Sequence, residues 1–201
     1  MSDPFAPLGG GAAPTTKKPG SAWVSVSPVP DDAPPPPEVH PSLGKPSGRW
    51  CYADAAGSLL GFACRFDGPD GKQFRPLTLW RPVTGGRLAW RWEAWPAPRP
   101  LYGLDRLAER PKAVVIVAEG EKAAGAAGRL LPDHVAITSP NGSKSAAKAD
   151  WSPLAGRRVV IWPDADAPGA VYAEAVAGRV REAGATFVAV LVPPEGAAEG
   201  W

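Results

Sequence analysis

Two unbroken apolar runs dominate the second half of the chain. Ala113-Val114-Val115-Ile116-Val117-Ala118 is followed by Glu119-Gly120-Glu121-Lys122, and Arg158-Val159-Val160-Ile161-Trp162 by Pro163-Asp164-Ala165-Asp166-Ala167-Pro168-Gly169. Runs this short and this rich in β-branched residues read as strands buried on both faces, as in a parallel sheet. Val135-Ala136-Ile137-Thr138 and the stretch from Phe187 to Val192 supply two more strands. Glu121 to Leu131 is alanine-rich and predicts a helix despite Gly125 and Gly128, with Pro132-Asp133 ending it. Pro168 suits the first turn of a second helix running to Ala183, which Gly184 terminates. The expected fold class is therefore α/β, with a parallel sheet and flanking helices.

The first half has a different period. Trp50 to Asp54 alternates, Ala55-Ala56-Gly57-Ser58 is a turn, and Leu59 to Phe66 is a second strand, which together signal a hairpin. After a turn over residues 67–72, Gln73 to Trp80 predicts a third strand, with Pro76 at an edge or bulge, and Leu88 to Trp92 a fourth. Residues 1–48 are rich in proline, glycine and small polar residues, including Gly9-Gly10-Gly11 and Pro34-Pro35-Pro36-Pro37. Such a stretch buries too little apolar surface to offset an ordering entropy of about 1–2 kcal/mol per residue. The expected organisation is a disordered tail over 1–48, a small β-rich module and linker over 49–110, and the parallel-sheet domain over 111–201. Within the tail, Trp23-Val24-Ser25-Val26 is the part suited to packing, and Asp105 to Lys112 reads as the linker.

Composition narrows this picture modestly. At 201 residues and 44% apolar, the chain can bury one or two modest cores, and its formal charge of +2 does not argue for nucleic acid by itself. Cys51 and Cys64 are too few for a disulfide framework and are expected as buried free thiols in strands. His40 and His134 offer no zinc-ligand spacing. The start Met1-Ser2-Asp3-Pro4 lacks a signal-peptide pattern and no apolar run reaches membrane-spanning length, so a cytoplasmic protein is expected.

The candidate chemistry lies at the strand ends. Ligands bind outside the carboxyl ends of the strands in open α/β sheets, so Glu119, Asp164 and Asp166 are expected to converge there. Convergent carboxylates suit a hard divalent cation, Mg²⁺ or Mn²⁺. Ser139-Pro140-Asn141-Gly142-Ser143-Lys144-Ser145 should lie at the same edge, either as a phosphate cradle served by Lys144 and Lys148 or as an ordinary turn with solvated lysines. In the β-rich module, arginines from Arg49 to Arg99 are interleaved with Trp80, Trp90, Trp92 and Trp95. These tryptophans serve either as stacking platforms for single-stranded nucleic acid or as the core of the module.

The pairing of Val117-Ala118-Glu119-Gly120-Glu121 with Asp164-Ala165-Asp166-Ala167-Pro168-Gly169 resembles the Toprim domain of bacterial and phage-type DNA primases, topoisomerases and some nucleases. The preceding module is similar to the basic module of primases: Gly57-Ser58-Leu59-Leu60-Gly61-Phe62-Ala63-Cys64-Arg65, Lys72-Gln73-Phe74-Arg75 and Leu101-Tyr102-Gly103-Leu104 follow in the family's order. The resemblance spans residues 50–192. It departs at Ala123, where many members carry another acid for which Glu121 would have to compensate, and at Arg75, where an asparagine is usual. The resemblance implies metal-dependent nucleotidyl transfer: RNA primer synthesis on single-stranded DNA from nucleoside triphosphates, alongside a replicative helicase or further domains. Glu119, Asp164 and Asp166 would be the catalytic metal ligands, and Arg65 and Lys72 would face nucleotide or template phosphates; Arg75, clustered with them in the basic module, is expected to bind nucleic acid as well. A Toprim phosphodiester nuclease and a non-catalytic single-strand or helicase-binding module are the alternatives. A topoisomerase would need a tyrosine nucleophile from another domain. An Asp-x-Asp phosphatase places its motif after the first strand rather than the third. The family's template-selecting zinc module has no counterpart in the sequence, so the chain alone is expected to make primers poorly.

Overall fold

The computed structural model describes residues 22–69, 71–194 and 196–197, with the side chains of Ser143 and Lys144 outside that description. The apolar runs form a parallel sheet of order β7-β6-β8-β9, from β6 (Val115–Ala118), β7 (Val135–Ile137), β8 (Arg158–Trp162) and β9 (Phe187–Val190). Side chains alternate between the faces of a strand. Val115 and Val117 therefore pack with Val159, Ile161 and the Tyr172, Val176 and Val180 of α3 (Ala167–Glu182). Ile116 and Ala118 pack on the other face with Ala124 and Ala127 of α2 (Glu121–Leu130). Both faces are covered, which is why β6 is buried at every position and reads as an uninterrupted apolar run. Fully burying one such valine or isoleucine contributes about 1.5–3 kcal/mol.

The first half forms an antiparallel sheet of order β1-β4-β3-β2, with β5 also on β4. Its strands are β1 (Trp23–Ser25), β2 (Gly48–Ala53), β3 (Leu59–Gly68), β4 (Gly71–Pro82) and β5 (Ala89–Arg91). The early part of β4 pairs with β3 as far as Leu77, whereas Thr78 to Pro82 is flanked by β5 and β1. Pro76 lies in the part paired on one side only, where a residue without an N–H is tolerated.

Three expectations are corrected. The tail expected to be disordered over 1–48 is ordered from residue 22 onwards. β1 adds to the sheet, Val29 N–H donates to the Leu59 carbonyl at 2.7 Å, Trp90 Nε1 donates to the Pro34 carbonyl at 2.7 Å, and His40 packs against Trp92 and Phe66. The polyproline stretch gains its order from the aromatic surface of β5 and the residues after it, which its own composition does not reveal. Residues 1–21 lie outside the described ones. The expected linker is α1 (Leu104–Glu109), because Leu107 is drawn into the core of the parallel sheet. Cys64 is buried as expected, but Cys51 is exposed, since β2 is an edge strand.

The two sheets meet through Tyr52, Leu60, Ala63 and Trp95, with Trp95 Nε1 donating to the Leu60 carbonyl at 3.0 Å. The Leu101-Tyr102-Gly103-Leu104 segment crosses this joint. Leu101 is buried in the parallel-sheet core and Tyr102 N–H donates to the Thr138 carbonyl at 2.9 Å. Gly103 has φ 90°, and a Cβ there would lie 2.5 Å from the Arg106 guanidinium and 3.2 Å from the Ala136 carbonyl, so glycine is required. The outer edge of β7 is blunted by this segment and α1. The carbonyls of His134, Ala136 and Thr138 accept from Arg110, Arg106 and Tyr102 in turn.

Candidate acidic site at the sheet edge

Glu119 follows the last residue of β6, and Asp164 lies two residues past β8, at the carboxyl end of adjacent parallel strands. The backbone N–H of Asp164 donates to the Glu119 carboxylate. Burial raises the Glu119 pKa, and the charges of Asp164 and Asp166 push the same way; the Asp164 N–H and the Lys72 cation oppose them. Glu119 Oε2 is shielded from water and has no hydrogen-bond partner among the described residues. A buried carboxylate oxygen without a donor is costly to the fold.

The Asp-x-Asp-x-x-Gly spacing is one folded unit. Asp166 has extended backbone and caps α3, its Oδ1 accepting from Gly169 N–H at 2.7 Å, while Pro168 stands in the first turn. A Cβ on Gly169 would overlap the Asp164 carbonyl oxygen and reach Asp166 Oδ1 at 3.0 Å. Only glycine lets the two aspartates fold this tightly onto the helix start. Glu119, Asp164 and Asp166 thus bear on one another electrostatically. As the side chains stand, no three His, Cys, Asp or Glu residues among those described form a metal-holding cluster. The donor set nonetheless fits a hard cation: all ligand atoms are carboxylate oxygens, and Glu119 Oε2 is uncommitted.

The basic residues separate by register. Asp67 pairs with Lys72 and Arg65 with Phe74, so these four share one face of the β3–β4 hairpin; Cys64 pairs with Arg75 on the other. The Lys72 cation is close enough to Glu119 to oppose the rise of its pKa. Arg65 binds Asp67, with Nη2 to Oδ1 at 2.7 Å, and Ser47 Oγ donates to the same carboxylate at 2.6 Å. Hydrogen bonds from Ser47 and then Arg65 depress the Asp67 pKa. On the same face Trp50 stacks over Phe74, with centroids 6.4 Å apart and planes at 29°. Arg75 is turned away, donating to Gln73 Oε1 at 2.7 Å and lying beside His40. The expected grouping of Arg75 with Arg65 and Lys72 is therefore corrected. Trp80 and Trp95 are buried, and Trp90 and Trp92 are half-buried against Pro34 and His40, so these tryptophans serve the core.

The turn after β7 lies at the same edge. Ser139 is fully buried, Asn141 has φ 65°, and the chain continues as a short 3-10 helix (Ser143–Lys148). Tyr172 joins this turn to the acids: its hydroxyl donates to the Ala118 carbonyl at 3.1 Å and lies 3.5 Å from Ser139 Oγ. The Lys144 side chain falls outside the described residues. Lys148 is exposed at the end of the 3-10 helix, with its carbonyl accepting from Arg99 N–H at 2.7 Å.

Glu121 does not replace the acid absent at Ala123. It is buried at 4% exposure, where Tyr52 OH donates to its Oε1 at 2.7 Å, and burial raises its pKa. Ala123 lines a small apolar hollow of about 130 Å³ with Trp162 and Asp164. Sequence reasoning missed Tyr52, which locks the β-rich module onto α2, and Arg99, which reaches Ser145 Oγ at 3.3 Å and the Trp95 carbonyl at 3.1 Å. It also missed the Trp50–Phe74 pair, which strand alternation with Arg65 and Lys72 would have found once the hairpin register was fixed.

No helix among the described residues is long and apolar enough to cross a membrane. No protein-family model matches the chain, and no curated protein matches it. Among solved structures, the chain is similar to the primase fragment of the bacteriophage T7 primase-helicase protein, at 16% identity and a TM-score of 0.46 over 73% of this chain and 52% of that one. It is also similar to a chain from the bacteriophage T7 lagging-strand DNA polymerase interacting with primase domains of two gp4 subunits bound to an RNA/DNA hybrid and dTTP, at 17% identity and a TM-score of 0.45, covering 75% and 67% of the two chains. This chain spans about half the length of the first of these structures and two thirds of the second.

Proposed function

We propose that the chain is a primase-type Toprim protein that carries out metal-dependent nucleotidyl transfer on single-stranded DNA, working with further domains or a replicative helicase. The observation that carries this reading is the buried, partnerless Oε2 of Glu119, set beside Asp164 and Asp166 at one sheet edge and faced by Lys72 from the other sheet. Glu119, Asp164 and Asp166 would hold Mg²⁺ or Mn²⁺, which when bound would neutralise charge on the transferring phosphoryl group. Lys72 supplies a cation to nucleotide phosphates at the same edge. The Trp50–Phe74 face offers unstacked bases an aromatic platform beside that cation. The Tyr52–Glu121 hydrogen bond joins β2, which carries Trp50, to the start of α2, two residues after Glu119.

Incubation with single-stranded DNA, labelled nucleoside triphosphates and Mg²⁺ or Mn²⁺, resolved on a gel, tests this. Weak template-dependent extension that disappears in Asp164→Asn with Asp166→Asn is expected. Strand cleavage without synthesis would replace the reading with a nuclease. The absence of the acid at Ala123 favours a second reading, a non-catalytic single-strand or helicase-binding module; strand binding with neither synthesis nor cleavage would establish it.

A further inference from the structure

At the outer edge of β7, α1 and α2 enclose a cleft of about 340 Å³ whose wall carries Arg106, Arg110 and Arg129 against one carboxylate, Glu109. Arg106 and Arg110 hold the carbonyls of the β7 edge, but with one nitrogen each: Nη2 of Arg106 donates to Ala136, and Nη1 of Arg110 to Pro132 and His134. Arg106 also lies over the Tyr102 ring, 4.6 Å from its centroid, but a guanidinium has five N–H donors, so both arginines keep donors without a partner among the described residues. Arg129, in the last turn of α2, has no hydrogen-bond or ion-pair partner among the described residues, and its Nη1 would lie 3.7 Å from a Cβ added at Gly125. It therefore folds back one helical turn over the cleft. The only ion pairs among the described residues are Arg65–Asp67 and Arg91–Glu93, so Glu109 neutralises none of the three. His134, on the same wall, has an Nδ1 that is shielded from water and unpartnered. Gly125 and Gly128 keep the α2 side low: a Cβ at either would meet nothing closer than 3.7 Å.

Three guanidinium groups with spare donors on one cleft wall suit an anion shared between them. Edge protection explains the backbone bonds of Arg106 and Arg110, whereas Arg129 is exposed in the last turn of α2 and turned over the cleft, where it is free to meet an anion. We propose that this cleft is a second anion site, for a small molecule carrying linked phosphates, separate from the acidic edge. Its volume, about 340 Å³, exceeds what a single phosphate needs. Inorganic pyrophosphate and the polyphosphate end of a nucleotide share this chemistry.

The test is calorimetric titration of the full chain, in chelator to keep divalent metal away, with inorganic pyrophosphate in one arm and ATP in another. Pyrophosphate binding in wild type is expected to weaken about tenfold or more in Arg129→Glu, since a charge-assisted contact is lost. Gly125→Leu, which fills the cleft and favours the helix, is expected to abolish binding without changing charge. Asp164→Asn with Asp166→Asn is expected to bind pyrophosphate as wild type does. Tighter binding of ATP than of pyrophosphate would identify a nucleotide site, and equal binding a pyrophosphate site. No binding to wild type, unchanged binding in both cleft variants, or loss of binding in the aspartate variant would overturn the proposal.

Discussion

In the parallel sheet, a side chain reaches the site by standing just past the end of a strand; in the antiparallel sheet, it does so by standing on the correct face. Glu119 and Asp164 obey the first rule. Neighbouring parallel strands end at one edge, so their position follows from the topology. Lys72 and Arg75 obey the second. They are three residues apart in β4, so they take opposite faces: one is close enough to Glu119 to oppose the rise of its pKa and the other lies beside His40. Chemistry at strand ends tolerates small errors of register, whereas chemistry on a face is reversed by a shift of one residue.

The comparison requires that the antiparallel face be held rigidly against the parallel edge. Trp95→Ala should therefore have the largest effect, costing about 3–5 kcal/mol, because it empties the joint around Tyr52 and Leu60. Urea unfolding measures this, and a loss under about 1 kcal/mol would mean the two sheets are held by something else. Tyr52→Phe should cost about 1.5–3 kcal/mol by leaving the buried Glu121 carboxylate without its donor. The same substitution should also lower nucleic-acid affinity if the joint orients the Trp50–Phe74 face.

The face rule itself is tested by paired substitutions. Lys72→Ala should weaken single-strand binding about tenfold and flatten its salt dependence, while Arg75→Ala should leave both nearly unchanged. Equal effects of the two would break the distinction. The smallest expected effect concerns pH. Glu119 has a raised pKa in the fold, chiefly from burial and then from Asp164. Below the ordinary carboxylate range the group is protonated in both states and costs nothing. As pH rises through the raised folded pKa it must ionise in the fold, and stability falls. Glu119→Gln should remove that fall, seen as a flatter dependence of Tm on pH in metal-free buffer.

Legibility followed the same division. The strand Arg158–Trp162, the helix starting at the Asp-x-Asp turn and the position of Glu119 and Asp164 just past adjacent parallel strands were readable because each depends on local pattern and one topological rule. The order of residues 22–48 was not, because those residues are stabilised by Trp90, Trp92 and Phe66, far along the chain. Helix α1 was missed because its six residues carry one deeply buried side chain, Leu107. Glu121 looked like a solvated helix cap, and only its contact with Tyr52, sixty-nine residues earlier, shows it to be buried structure.

Calorimetric titration of Mn²⁺ into wild type and into Asp164→Asn with Asp166→Asn bears most directly on the acidic site. Asparagine still caps a helix start, so the variant should remain folded. Saturable binding to wild type is expected, with stabilisation that grows with Mn²⁺ concentration over its dissociation constant, and neither in the variant. Equal binding by both proteins, or none by wild type, would contradict the metal site.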